Sequence, residues 1–175
     1  MRLDDKAYLC SRLDIENIYR RVAPYEETQW DIEVNNTYES CTAMKKIVLA
    51  STVNANNEFL SFLDELFMDI DGLAELEANV QIAICETFNN AVLHGNKLNP
   101  EKIVTCTFDI TEVDYIFTIE DEGDGFDPTR IPDPTLPENI EKTEGRGVFL
   151  TRTLADSVEY LNGGRKVIIR FAKNK

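Results

Sequence analysis

Residues 86–96 read ETFNNAVLHGN, and this stretch decides the fold of the chain. Apolar residues recur before it and within it at steps of three and four, which predicts one helix from about Leu73 to Leu93. Gly95 is a natural stop for that helix. The other elements can be placed on either side of it.

Strand and helix patterns alternate on both sides of this helix. Before it, Ile47 to Val53 suggests a core strand, and Asn54 to Asp69 has helical spacing. After it come strand patterns, a segment with four prolines, and a further helical pattern that begins near Val148. The later strands are predicted over Ile103 to Ile110, Tyr115 to Ile119, Val158 to Leu161 and Val167 to Phe171.

The composition limits the possible functions. Lys and Arg total 18 against 32 Asp and Glu, so the formal net charge is −14. This charge repels nucleic-acid phosphates and anionic lipid, which argues against direct nucleic-acid binding. The four cysteines lack a close metal-ligand spacing and are expected to be reduced, buried thiols. Without a signal peptide or a membrane-spanning run in the sequence, we expect a cytoplasmic protein that does not enter a membrane.

The helix carries three polar residues that could act together. Glu86 and Asn90 are one turn apart and share a predicted face with His94. An asparagine oxygen can bind Mg²⁺, and a glutamate can accept a proton from an attacking hydroxyl. The alternative is a solvated helix face, with His94 as a helix-end cap or packing residue. Because the chain has a single histidine, a histidine metal site is disfavoured.

A second polar block, DEGDGF at residues 121–126, follows directly after an apolar strand. Glycines there allow a ligand to come close, and Asp121 could accept a hydrogen bond from an exocyclic amine such as that of adenine. The alternatives are an acidic loop or a calcium site formed by Asp121, Asp124 and Asp127. The spacing does not complete a twelve-residue calcium loop, so the calcium interpretation is weak.

A third block, EGRGVFL at residues 144–150, opens the last predicted helix. The backbone amides of Gly145 and Gly147 and the helix dipole could hold a phosphate, with Arg146 as a nearby cation. A glycine-containing structural turn is the simpler explanation of this block taken alone.

In their order and context, the three blocks resemble the N box and the two glycine boxes of the GHKL ATPase superfamily. They are most similar to the bacterial anti-sigma-factor serine/threonine protein kinases. Phrases such as NAVLHGNK at 90–97, PDPT at 132–135 and GRGVFL at 145–150 are typical of that branch. The resemblance covers about Met44 to Ala172.

The resemblance implies a role for each candidate residue. Glu86 takes the position of the general base, Asn90 that of the magnesium ligand, and Asp121 that of the adenine-binding carboxylate. The proline-rich segment over residues 127–144 corresponds to the ATP lid. The nucleotide-binding residues would be Asn90, His94, Asp121, Gly123, Gly125, Gly145, Arg146 and Gly147, with ATP and Mg²⁺ as cofactors.

The resemblance also implies the fold and the partners. The expected fold is an α/β two-layer sandwich of the GHKL (Bergerat) type, with a mixed, mainly antiparallel sheet and helices on one face. The expected function is an ATP-dependent serine/threonine protein kinase and anti-sigma factor. It would phosphorylate a STAS-type anti-sigma-factor antagonist and bind a sigma factor or similar client. A non-catalytic, ATP-gated binding module is the alternative.

The chain is expected to divide into an N-terminal extension of unknown role at 1–43 and an ATPase domain at 44–175. Members of the resembled family typically begin near the strand around Ile47. The extension contains a tryptophan and several tyrosines and could be a packing arm, an added strand or the contact of a homodimer.

Overall fold

The computed structural model describes residues 45–70, 72–139 and 145–173. Within these residues, five strands form one sheet, and helices pack on it. The strands are β1 (Lys45–Ala50), β2 (Ile103–Ile110), β3 (Asp114–Asp121), β4 (Ser157–Leu161) and β5 (Lys166–Ala172). The α-helices are α1 (Ala55–Asp69), α2 (Glu77–Asn89) and α3 (Arg146–Leu154). A π-helical turn, Asn90–Gly95, extends α2, and short 3₁₀ turns cover Leu73–Leu76, Pro137–Asn139 and Asn162–Gly164.

The sheet has the strand order β1-β2-β3-β5-β4, and every pairing among the described strands is antiparallel. Side chains alternate between its two faces, as the period of two requires. On β2, Val104, Cys106 and Phe108 are buried, whereas the residues between them are only half-buried. The same alternation on β3 and β5 gives the sheet one apolar face, and the helices cover that face.

Aromatic side chains join the helices to each other and to the sheet. Phe59 of α1 and Phe88 of α2 stack with their ring centroids 4.0 Å apart. On the sheet, Phe108 and Phe117 are 4.8 Å apart, and Phe171 meets Phe117 edge to face. All five rings are almost fully buried. This core fixes α2 against the sheet and so determines where its polar residues emerge.

The structure confirms the predicted two-layer α/β architecture. The observed bounds of β2 match the prediction, and the other later strands extend one or two residues beyond their predicted ends. The prediction that β1 reaches Val53 is wrong, because the chain turns after Ala50 and Val53 is 40% exposed. The predicted continuous helix from Leu73 to Leu93 is in fact a 3₁₀ turn, an α-helix and a π-helical turn in succession.

Residues 1–44 lie outside the described residues, so the predictions for the N-terminal extension stay predictions, as does the division of the chain at residue 44. No helix in the part of the chain that the structure describes is long and apolar enough to cross a membrane. The expected cytoplasmic location likewise stays a prediction.

Candidate functional site

The first and third polar blocks meet where α3 begins. Glu86 and Asn90 are half-buried at the C-terminal end of α2, and Gly147 lies directly against them. A Cβ atom added to Gly147 would be 2.7 Å from Oε2 of Glu86 and 3.2 Å from Nδ2 of Asn90. Any larger residue at position 147 would therefore fill the space in front of these two side chains. The structure brings together the proposed base, the proposed metal ligand and the phosphate-side glycine box.

Two buried threonines hold α3 in this position. The Thr87 hydroxyl donates to the Ala83 carbonyl at 2.9 Å and lies 3.2 Å from Oγ1 of Thr151. Oγ1 of Thr151 is also 2.9 Å from the carbonyl oxygen of Gly147 and 3.2 Å from that of Ala83. Because these hydroxyls are buried, losing a partner would leave an unsatisfied polar group. The contact therefore fixes the start of α3 over the turn of α2 that carries Glu86.

The second block joins the first through two glycines. Asp121 ends β3, and its carboxylate faces Gly95 so closely that a Cβ atom there would lie 2.6 Å from Cγ of Asp121. The backbone of Gly123 packs on that of Gly95, since a Cβ on Gly123 would be 2.1 Å from the Gly95 carbonyl oxygen. The Gly123 amide donates to Oδ1 of Asp121 at 2.7 Å. Oδ2, the other carboxylate oxygen, also lies next to Gly95, since a Cβ atom there would be 2.8 Å from it.

Substituting Gly123 tests this backbone contact. In a Gly123→Ala variant, the loop that follows β3 must move away from the end of the π-helical turn. The new methyl group would meet the backbone of Gly95, which cannot rotate aside as a side chain could. We expect an unfolding free energy lower by about 3 kcal/mol, the upper end of the usual cost of overpacking. Gly163→Ala is the control, since no atom lies within 4 Å of its added Cβ and only the left-handed φ of +66° opposes it. Chemical denaturation of both variants gives the comparison, and equal losses of stability would contradict the contact.

Burial raises the pKa of the two carboxylates in the site. Removal from water raises the pKa of Glu86 above its ordinary value. Burial also raises the pKa of Asp121, although the Gly123 amide and the positive charges of Arg165 and Lys102 oppose this rise. Both groups therefore lie in surroundings that favour the neutral form more than water does. Such shifts are frequent where a carboxylate exchanges protons or binds a polar ligand.

The raised pKa of Glu86 predicts a pH-dependent stability cost. A group whose pKa is higher in the folded state stabilises the fold below its unfolded pKa and loses that contribution as the pH rises through the folded value. At neutral pH the ionised Glu86 carboxylate therefore weakens the fold, and Glu86→Gln should unfold at a higher temperature than the wild type. The difference should shrink as the pH falls through the raised pKa to below the ordinary glutamate pKa. Thermal unfolding measured across this pH range tests the prediction, and a variant less stable at pH 7 would refute it.

The remaining predicted residues are Gly125, Gly145, His94 and Arg146. Gly125 packs on the carbonyl of Gly163, and Gly145 packs on that of Pro132 with a left-handed φ of +82° that only glycine adopts easily. His94 and Arg146 are exposed, His94 in the π-helical turn and Arg146 as the first residue of α3. A π-helical turn is wider than an α-helical one, so residues four apart no longer share one face. Nucleotide contacts by these four residues stay predictions.

The calcium interpretation of the second block is wrong for the residues described. Asp124 pairs with Lys97 at 2.7 Å, and Asp127 bonds to the hydroxyl and amide of Thr129. Asp121 instead faces Gly95 and Gly123. Within residues 45–70, 72–139 and 145–173, no three His, Cys, Asp or Glu side chains converge as a metal site.

The described part of the predicted lid, residues 127–139, contains two copies of the sequence DPT, at 127–129 and 133–135. In each copy the aspartate Oδ1 accepts hydrogen bonds from the threonine amide and hydroxyl two residues later. Such turns satisfy the backbone where proline removes a donor. Arg152 of α3 donates to the Pro128 carbonyl at 3.3 Å, which ties the first of these turns to α3.

Sequence reasoning missed Asn96, whose side chain is almost fully buried behind Asp121. It also assigned no role to Lys102 and Arg165, whose charges act on the Asp121 carboxylate. Asn96 directly follows the predicted helix stop, which is a signal for a polar cap. The partners of its side chain belong to three separate strand ends, so a local pattern does not reveal them.

Comparisons with known proteins agree with this geometry. Residues 49–173, more than half of the chain, match the family described as "Histidine kinase-like ATPase domain". An anti-sigma F factor from Clostridium perfringens (strain SM101 / Type A) is 29% identical over 111 residues, which are 60% of this chain and 79% of the relative. An anti-sigma F factor from Bacillus cytotoxicus is 28% identical over 116 residues, 64% of this chain and 79% of the relative. The serine-protein kinase RsbW from Oceanobacillus iheyensis is 32% identical over 101 residues, 54% of this chain and 63% of the relative. The chain therefore belongs to the histidine kinase-like ATPase family, and its predicted resemblance to the anti-sigma-factor kinases is confirmed.

Proposed function

We propose that this protein is an ATP-dependent serine/threonine protein kinase and anti-sigma factor. The observation that carries the proposal is the packing of Gly147 of α3 against Glu86 and Asn90, with Asp121 of β3 facing Gly95 at the end of the π-helical turn. This arrangement offers a proton acceptor and a metal ligand beside Gly147, and a base-binding carboxylate beside Gly95. The family membership and the names of the relatives support the same function.

The residues present fit a bound ATP. At one end, Oδ2 of Asp121 can accept the exocyclic amine of adenine, because Oδ1 is already engaged by the Gly123 amide. At the other end, Gly147 leaves open the space that a Cβ would fill in front of Glu86 and Asn90. The first amides of α3 and its helix dipole favour a phosphate group at that end.

The donor set also fits Mg²⁺ held mainly by the nucleotide. This ion usually binds through one or two protein oxygens together with phosphate oxygens and water, rather than in a cage of side chains. Asn90 would provide the protein oxygen through Oδ1, with its amide turned from the orientation in which Nδ2 faces Gly147. When bound, the ion would neutralise charge on the phosphates.

Glu86 would serve as the general base. It accepts the proton of a serine hydroxyl as the serine oxygen bonds to the terminal phosphorus and the bond between that phosphorus and ADP breaks. A raised pKa suits this role, because a base works best when its pKa approaches the working pH. Asn90 and Gly147 would hold the phosphate end in line with the arriving hydroxyl.

The names of the relatives support the proposed partners. An anti-sigma F factor and a serine-protein kinase suggest a STAS-type antagonist as the substrate and a sigma factor or similar client as the sequestered partner. A homodimer and a cytoplasmic location complete the proposal. Neither a nucleic acid nor a membrane is needed as a partner.

Phosphate transfer to a candidate antagonist tests the proposal. The full chain is incubated with labelled ATP, Mg²⁺ and the purified antagonist, and phosphoserine or phosphothreonine is located by mass spectrometry. We expect transfer that stops when EDTA removes the metal. Binding of the antagonist or client in the presence of ATP without any transfer would instead support a non-catalytic, ATP-gated binding module.

A further inference from the structure

Asn96 occupies a buried junction behind the proposed base-binding carboxylate. Its side chain is 1% exposed, and all of its polar atoms have partners. Nδ2 donates to Oγ of Ser51 and to the Ile103 carbonyl, each at 2.8 Å. Oδ1 accepts the Glu122 amide at 2.9 Å. One side chain thus joins the segment after β1, the start of β2 and the end of β3.

The backbone around Asp121 is held by three successive amides with different partners. The Asp121 amide donates to the Arg165 carbonyl at 3.0 Å, and the Gly123 amide donates to the Asp121 carboxylate itself. The amide between them, that of Glu122, is held by Asn96. Of these three bonds, only the bond to Asn96 connects the chain after β3 to the residue that follows the π-helical turn.

This bond lies beside a very narrow gap, and the Glu122 side chain accepts a second bond from the Ile103 amide at 2.9 Å. Asp121 lies against Gly95, the residue directly before Asn96, so closely that a Cβ would be 2.6 Å away. The Asn96 amide donates to the Ala91 carbonyl at 2.8 Å, five residues back, which closes the π-helical turn. The backbone of Asn96 is therefore held by the π-helical turn. Its side-chain Oδ1 in turn holds the amide of Glu122, the residue that follows Asp121.

We propose that Asn96 is a positioning residue for nucleotide-base recognition, acting through Asp121. The proposal rests on the proposed ATP site. A hydrogen bond weakens steeply when its distance or angle changes, so a shift of the Glu122 backbone weakens the bond from the adenine amine to Asp121. The effect is confined to the base end, because Glu86 is held in α2 and Asn90 begins the π-helical turn, whose closing bond comes from the Asn96 backbone and not from its side chain.

The test compares ATP with inosine triphosphate, which has a carbonyl oxygen in place of the adenine amine and so cannot donate to Asp121. Dissociation constants are measured by calorimetry with Mg²⁺ for the wild type, for Asn96→Ala and for Leu63→Ala. Leu63 is a fully buried residue of α1. Leu63→Ala therefore lowers the stability of the fold without changing any residue of the proposed site, and it controls for a general loss of stability. All measurements are made below the unfolding temperature of the least stable variant.

We expect the wild type to prefer ATP, and Asn96→Ala to lose about 10- to 100-fold in ATP affinity while its affinity for inosine triphosphate changes little. Leu63→Ala should keep the wild-type preference. Asn96→Asp keeps the acceptor for the Glu122 amide but loses the bonds that Nδ2 donates to Ser51 and Ile103, so its preference for ATP should also be below that of the wild type, and it serves if the alanine variant does not fold.

Two results separate the failure of this inference from the failure of the proposed function. If the wild type prefers ATP and both Asn96 variants keep the full preference, Asn96 does not position Asp121 and the inference is overturned alone. If the wild type binds neither nucleotide, the proposed ATP site is wrong and the inference falls with it.

Discussion

Glu86→Gln should abolish phosphate transfer while leaving nucleotide binding intact. Glutamine keeps the size of glutamate and its place under Gly147, but its amide cannot take the proton of the attacking serine hydroxyl. Removal of a general base typically slows a reaction by about 100- to 10,000-fold. The rate of transfer to the antagonist at saturating ATP and Mg²⁺ measures this loss, and calorimetry measures nucleotide affinity in parallel.

Glu159→Gln is the matched control for this experiment. Glu159 is exposed on β4, where it pairs with Arg170 at 3.7 Å, and the substitution removes one negative charge without touching the site. This variant should transfer phosphate at the wild-type rate. Transfer by Glu86→Gln at the wild-type rate would show that Glu86 is not the base, even if the fold and the ATP site are correct.

Asp121→Asn should eliminate detectable ATP binding. The carboxylate that accepts the adenine amine becomes an amide, and the Gly123 amide already requires an acceptor from the same side chain. The asparagine oxygen satisfies Gly123, so its NH₂ group then faces the adenine amine, donor against donor. A buried donor without an acceptor adds a desolvation cost to the lost bond. Titration with ATP and Mg²⁺, followed by calorimetry, measures the effect.

Asp109→Asn provides a control of the same chemistry. Asp109 belongs to β2 and is half-buried, and burial raises its pKa as it does that of Asp121. It points to the sheet face opposite the helices, because its neighbour Phe108 points into the core. ATP affinity should be unchanged in this variant. Wild-type affinity in Asp121→Asn would remove Asp121 from the proposed site.

The sequence predicted those elements whose pattern is local. The alternation of apolar residues in β2 was enough to predict both of its ends, since each buried side chain is two residues from the next. The blocks at Glu86, Asp121 and Gly147 were also recognised in advance, because glycine and acidic residues stand out beside apolar runs. Their meeting in space agrees with the resemblance on which the site was predicted.

The features that were missed depend on contacts between distant segments. A glycine at the end of a helix commonly adopts a left-handed conformation, which predicts such a conformation at Gly95. Beyond this helix the left-handed conformation occurs instead at Lys97 and Leu98, with φ values of 57° and 55°. Gly95 is needed instead because it has no side chain to collide with Asp121. A local pattern shows a glycine near a helix end and does not show what packs on it. The junction at Asn96 was missed for the same reason.

The buried contact between Thr87 and Thr151 makes α2 and α3 a single cooperative unit during thermal fluctuations. Separating the two helices breaks the contacts of Thr151 Oγ1 with Oγ1 of Thr87 and with the Ala83 carbonyl, although each hydroxyl keeps an acceptor in its own helix, so the opening of one helix is coupled to that of the other. Surface loops can open at a much lower cost. Motion of the surface loops therefore leaves the placement of α3 over Glu86 and Asn90 unchanged.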